Sequence, residues 1–99
     1  MNVVAGRGAL VTGAGNGLGA AIARALHAAG ARVVLVGRDE AKLRATAAGL
    51  PGSVVAPCDV ADATAVAGLA ERLVNERVDI VVNNAGVGGP VAPLVEIDP

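Results

Sequence analysis

The chain has no phenylalanine, tyrosine or tryptophan, although 54% of its 99 residues are hydrophobic. Its core must therefore be built from Val, Leu, Ile and Ala, which bury little area per side chain and leave a chain this short a thin stability margin. It has a single cysteine, Cys58. An internal disulfide is excluded, and with it a disulfide-stapled secreted domain. Cys58 reads as a small buried or turn residue, and a reducing cytoplasm fits best. A basic excess is also missing: the formal net charge is −1 and no two Lys or Arg are adjacent. That argues against a nucleic-acid or anionic-membrane surface. No apolar run approaches the roughly 20 residues needed to cross a membrane. Met1 to Gly8 lacks the charged start and long apolar stretch of a signal peptide. Neither an internal repeat nor a low-complexity tract is visible.

What is present alternates between strand and helix. Ala9-Leu10-Val11-Thr12 reads as a buried strand running straight into glycines. Leu18, Ala21, Ile22, Ala25 and Leu26 follow at helical spacing and form the expected apolar face of a first helix. Gly30 stands where a left-handed cap is needed. Arg32 to Val36 is a second strand, apolar on both faces as in covered parallel sheets. Asp39 can cap a helix running to about Ala48, ended by Gly49 and Pro51. Ser53 to Ala56 is a third strand. Asp62 can cap a helix with the stripe Val66, Leu69, Ala70, Leu73 and Val74. Asp79 to Asn83 is a fourth strand, and the tail from Gly86 reads as a loop. The alternation implies right-handed crossovers and a parallel sheet with helices on both faces, an incomplete doubly wound α/β domain of about four strands and three helices. In that reading the fourth strand is left as a bare apolar edge.

Thr12-Gly13-Ala14-Gly15-Asn16-Gly17-Leu18-Gly19 lies between the first strand and the first helix. The free N–H groups and dipole at a helix N-terminus suit a diphosphate, and glycines let the backbone approach it. The spacing parses as Gly-x-x-x-Gly-x-Gly from Gly13, or as Gly15-x-Gly17-x-x-Ala20, which fits the wider dinucleotide fingerprint. Without a following Lys it is not a Walker loop. On these residues alone, a turn that binds nothing and a methyltransferase stay open.

Asn83-Asn84-Ala85-Gly86 closes the fourth strand. With the glycine turn, and with Asp59-Val60 after the third strand, it resembles the short-chain dehydrogenase/reductase family over essentially the whole chain. The resemblance implies a Rossmann-like fold spanning residues 1–99 as the first part of a dinucleotide-binding domain. It also implies an NAD(P)-dependent oxidoreductase acting on an alcohol or carbonyl. Gly13, Asn16, Gly17, Leu18 and Gly19 would form the turn over the cofactor diphosphate. Asp59 would accept a hydrogen bond from the adenine amino group, with the Val60 backbone beside it, unless its carboxylate only stabilises its own turn. Asn83, Ala85 and Gly86 would line the ribose side. Cofactor choice should be made after the second strand, where an acid suits the ribose diol and a base suits a 2′-phosphate. Members with an Asp directly after that strand favour NAD. Here Gly37 takes that place and Arg38 follows it, so NADP(H) is expected over NAD(H). In the competing reading, Arg38 is simply solvated and Asp39 turns toward the ribose instead of capping its helix.

The family transfers hydride with a Ser, a Tyr and a Lys in a Tyr-x-x-x-Lys arrangement, helped by a further Asn. This chain has no Tyr, and Lys42 and Ser53 are not at matching positions, so no catalytic residue is assigned and turnover by the chain alone is not expected. The resemblance places catalysis, the substrate pocket and usually a homo-oligomer interface in the family's second half. His27, the only histidine, sits near the first helix's C-terminus, where it meets the dipole favourably. One Cys and one His supply no metal site. The leading expectation is the cofactor-binding part of such an enzyme. The alternatives are a stand-alone nucleotide-binding module or pseudoenzyme, and a product that does not fold stably.

Overall fold

The computed structural model describes residues 3–84 and the strand at 94–97. The elements run β1 (Gly8–Thr12), α1 (Gly17–Ala28), β2 (Arg32–Gly37), α2 (Glu40–Ala47), β3 (Val54–Pro57), α3 (Ala63–Arg72), β4 (Ile80–Asn83) and β5 (Leu94–Ile97). They form one sheet in the order β3-β2-β1-β4-β5. The pairs β1–β2, β1–β4 and β2–β3 are parallel. The expected Rossmann-like architecture of four parallel strands and three helices is therefore present.

Strand alternation divides the core in two. Ala9, Val11, Val33, Leu35, Ile80 and Val82 point to one face, where they pack with Ala23 of α1 and Leu43 of α2. Val34, Val36 and Ala56 point to the other, against Cys58 and Leu69 of α3. Both faces of β2 are thus buried, which is why its sequence is apolar without alternation. Asp39 caps α2 by accepting from the Lys42 N–H at 3.2 Å. Asp62 caps α3 through the Thr64 and Ala65 N–H groups at 2.9 and 3.2 Å. Gly30 closes α1 at φ 97°, as its position predicts.

Two expected helix faces are rotated from their predicted setting. In α1 the fully buried residues are Gly19, Ala20 and Ala23, with Ile22 and Leu26 half-buried. Leu18, Ala21 and Ala25 face solvent. The reason is close approach: a Cβ on Gly19 would stand 1.9 Å from the Gly13 carbonyl oxygen. The smallest residues, not the largest, therefore mark the contact face. In α3 only Leu69 is buried, with Ala65 and Leu73 packed beside it. Val66, Ala70 and Val74 are exposed.

The tail is not wholly loop. β5 pairs antiparallel with β4, Ile80 opposite Ile97 and Asn83 opposite Leu94, so β4 is not the bare edge the sequence suggests. Four residues between Pro93 and Asp98 gave too short a run to separate strand from loop. Residues 85–93 and 98–99 lie outside the described residues, Ala85 and Gly86 among them.

Candidate functional site

The carboxyl ends of β1, β2, β3 and β4 open together on one cleft of about 360 Å³. Its lining includes Gly13, Gly15 and Asn16 from the glycine turn, Arg38 and Lys42 from the β2–α2 segment, and Asp59, Val60 and Asn84 from beyond β3 and β4. Residues up to 71 positions apart in sequence therefore meet here. Clefts at the carboxyl ends of parallel strands, beside the first crossover, are where such sheets hold ligands.

The turn is held rigidly from below. Gly13 adopts φ 63°, a conformation that L side chains rarely adopt. The Ala14 N–H donates to the Val36 carbonyl at 3.1 Å. The buried Thr46 hydroxyl donates to the Ala14 carbonyl at 3.0 Å, tying α2 to the turn. Asn16 precedes α1 with extended backbone and makes no side-chain capping bond. The first-turn N–H groups at Gly17, Leu18 and Gly19 thus have no capping side chain, which is the arrangement that favours an anion.

Two residues that the sequence motifs contain, but to which no site role is assigned from the sequence, organise this corner. The Thr12 hydroxyl accepts from the Asn84 N–H at 2.8 Å and faces the Asn83 carboxamide oxygen at 3.2 Å and the Val82 carbonyl at 3.4 Å. The Asn84 carboxamide nitrogen would lie 2.7 Å from a Cβ on Gly19, so it fills the angle between the turn and α1. Asn83 braces this network but does not line the cleft. The only signal in the sequence was a small hydroxyl residue at the end of a strand, and its partners are 70 or more residues away.

On the β2 side, Asp39 does what a cap does, and its Oδ1 is engaged by the Lys42 N–H. Arg38 is exposed and forms no ion pair among the described residues. Gly37 lies under Leu43, whose Cδ2 would be 3.1 Å from a Cβ there, so this position has little room for a side chain. The Cys58 N–H donates to the Gly37 carbonyl at 2.8 Å, and Cys58 is buried in the cleft wall. Asp59 does stabilise its own turn, with Oδ1 accepting from the Ala61 N–H at 3.0 Å. A carboxylate has further lone pairs to offer.

Outside the cleft, Asp79 and His27 tie elements of the fold together. Asp79, at the opposite end of the sheet, accepts from the Gly8 N–H at 3.0 Å and from Arg77 at 3.1 Å. Those two bonds, the backbone one foremost, hold its carboxyl below the ordinary value of 3.8. The His27 Nε2 lies 3.0 Å from the Pro51 carbonyl and links α1 to the loop after α2. Among the described residues no group of His, Cys, Asp and Glu could hold a metal. No helix there is long and apolar enough to cross a membrane.

The model of the short chain dehydrogenase family matches residues 7–99. This chain belongs to that family. It is 46% identical over 96 residues to L-xylulose reductase of Bos taurus, covering 95% of this chain and 37% of that protein. It is 45% identical over 94 residues to L-fucose dehydrogenase of Oryctolagus cuniculus, covering 93% of this chain and 33% of that protein. Among solved structures, a metagenomic short-chain oxidoreductase in complex with NADP superposes with a TM-score of 0.79 at 44% identity, covering 86% of this chain and 41% of that one. The chain thus spans about a third of the length of the curated relatives it matches.

Proposed function

We propose that this chain is the cofactor-binding part of an oxidoreductase that moves hydride between NADP(H) and an alcohol or carbonyl. The observation carrying the proposal is the convergence on one cleft of the glycine turn, Arg38, Asp59, Val60 and Asn84. The cradle fits a dinucleotide because Gly13, Gly15 and Gly37 all line it, and bare backbone there lets a phosphate or ribose come close to the chain. Gly13 and Asn16, with the first-turn N–H groups at Gly17, Leu18 and Gly19, would take the diphosphate. Asp59 would accept from the adenine amino group beside the Val60 backbone. Asn83 would brace the ribose side, and Ala85 and Gly86 would line it. When bound, the nicotinamide would supply or accept the hydride.

The preference for NADP(H) rests on what faces the adenosine ribose. Gly37 offers no carboxylate, Asp39 is turned toward the start of α2 by its helix cap, and Arg38 can meet a phosphate with its planar fork. Arg38→Ala should weaken NADPH binding about tenfold while changing NADH binding little, as measured by calorimetric titration. Equal loss of both would refute the preference.

The chain contains no Tyr, so the family's Tyr-x-x-x-Lys acid–base pair would have to come from elsewhere in the whole protein, along with the substrate pocket and any homo-oligomer interface. The 99-residue chain alone is accordingly expected not to turn over. NADPH oxidation by the pure chain in the presence of a ketone would overturn that. The single free thiol is in keeping with a cytoplasmic setting. A second reading, a stand-alone nucleotide-binding module, gains support from β5, which pairs with β4 and protects it. A folded, monodisperse 99-residue protein in sedimentation would favour it, and a soluble aggregate would count against it.

A further inference from the structure

Lys42 is the one cleft-lining cation for which the family resemblance has no role. It lies in the first turn of α2 and lines the cleft together with Arg38. Its placement is tied to Gly15. The backbone of Gly15 is not left-handed, so conformational freedom does not explain a glycine there. Space does, because a Cβ on Gly15 would stand 3.0 Å from the Lys42 Cβ. The stem of Lys42 thus lies against the glycine turn, in the gap any larger residue at position 15 would need. α2 is held in that position by the Thr46 bond to the Ala14 carbonyl.

Arg38 and Lys42 are the two basic residues that line the cleft. Arg32, Arg44 and Arg77 pair with Glu76, Glu40 and Asp79 at 2.9, 2.7 and 3.0 Å. Neither Arg38 nor Lys42 forms an ion pair among the described residues. The two carboxylates in the cleft accept from backbone instead: Asp39 from the Lys42 N–H and Asp59 from the Ala61 N–H. One cleft therefore presents two uncommitted cations four residues apart along the chain. A phosphate monoester carries roughly −1.5 to −2 at neutral pH, more than one guanidinium neutralises.

We infer that Lys42 is a second specificity-determining cation, which together with Arg38 binds the adenosine 2′-phosphate across the mouth of the cleft. The inference rests on the dinucleotide reading and deepens it. Arg38 supplies the oriented fork. Lys42 supplies a mobile point charge on a stem steadied by Gly15, able to follow the phosphate without fixed geometry.

The test is calorimetric titration of the full chain with NADPH and NADH for wild type, Lys42→Met, Lys42→Arg and Arg38→Ala. Circular dichroism melts would verify that each variant is folded. Methionine keeps the stem against Gly15 and removes only the charge. Lys42→Met should weaken NADPH about fivefold, in line with a partly exposed ion pair, leave NADH unchanged, and flatten the salt dependence of NADPH binding. Lys42→Arg should restore most of the loss. If wild type prefers NADPH and Arg38→Ala abolishes the preference, but Lys42→Met alters both cofactors equally or neither, the lysine inference fails and the cofactor reading stands. If wild type shows no preference for NADPH, both fail together.

Discussion

The same substitution at two helical glycines should have opposite effects. At Gly19 an added Cβ would stand 1.9 Å from the Gly13 carbonyl oxygen and 2.7 Å from the Asn84 carboxamide nitrogen. The nearer obstacle is backbone in a turn pinned by the Ala14 and Thr46 bonds, so no side-chain rotation relieves it. Overpacking of this kind costs about 3 kcal/mol at the upper end of its usual range. Replacing Gly by Ala in a helix returns about 1 kcal/mol. Gly19→Ala should therefore lose about 2 kcal/mol net, a large share of the roughly 5–15 kcal/mol that stabilises a small domain. At Gly68, in α3, a Cβ would meet nothing within 4 Å, and Gly68→Ala should gain about 0.5–1 kcal/mol. Urea unfolding followed by far-ultraviolet circular dichroism suits a chain without aromatic residues. With a slope of about 1 kcal/mol per molar, the midpoint should fall by about 2 M for Gly19→Ala and rise by up to about 1 M for Gly68→Ala. Midpoints that move together, or an unchanged Gly19→Ala, would refute the claim that α1 and the glycine turn are in backbone contact.

Two further substitutions probe a support beneath the cleft and one at the opposite end of the sheet. Thr12→Val keeps the shape but removes the acceptor of the Asn84 N–H; it should cost about 1–3 kcal/mol, most of it restored by Thr12→Ser, and equal stability of Thr12→Val and wild type in urea would contradict the role given to Thr12. Asp79 has a folded pKa lowered by its bonds to Gly8 and Arg77, so its contribution is fully present above the ordinary carboxylate value of 3.8 and is lost as pH falls below it through the folded value. Asp79→Asn should therefore flatten the stability profile in that acid window, and an unchanged profile in denaturation at a series of pH values would count against it.

The parts of the fold written in local chemistry were legible without coordinates. Asp39 and Asp62 announce helix starts because a carboxylate can reach N–H groups two or three residues on. Val33 to Val36 announce a covered strand because both faces are apolar. The helix faces were not legible in the same way. Hydrophobic spacing in α1 pointed to Leu18, Ala21 and Ala25, but the geometry of close approach selected Gly19, Ala20 and Ala23, and no periodicity of large residues reveals that. α3 is set by the single anchor Leu69 over a narrow part of the sheet, which leaves Val66 and Val74 outside. Arg38, Asp59 and Asn16 could be placed at the cleft from their positions after strands. Lys42 and Thr12 could not, because what gives them a role is a neighbour across the fold: Gly15 for the one, Asn84 for the other.

The central claim is that the cleft at the carboxyl ends of β1 to β4 is the dinucleotide site. The most direct test is a backbone-amide nuclear magnetic resonance titration of the 15N-labelled chain with NADP+. The account predicts saturable shifts at Gly13, Asn16, Arg38, Asp59 and Asn84, with little change at Gly8 and Asp79 at the far end of the sheet. Shifts confined to that far end or to the outer face of α3, or none at millimolar cofactor, would contradict it.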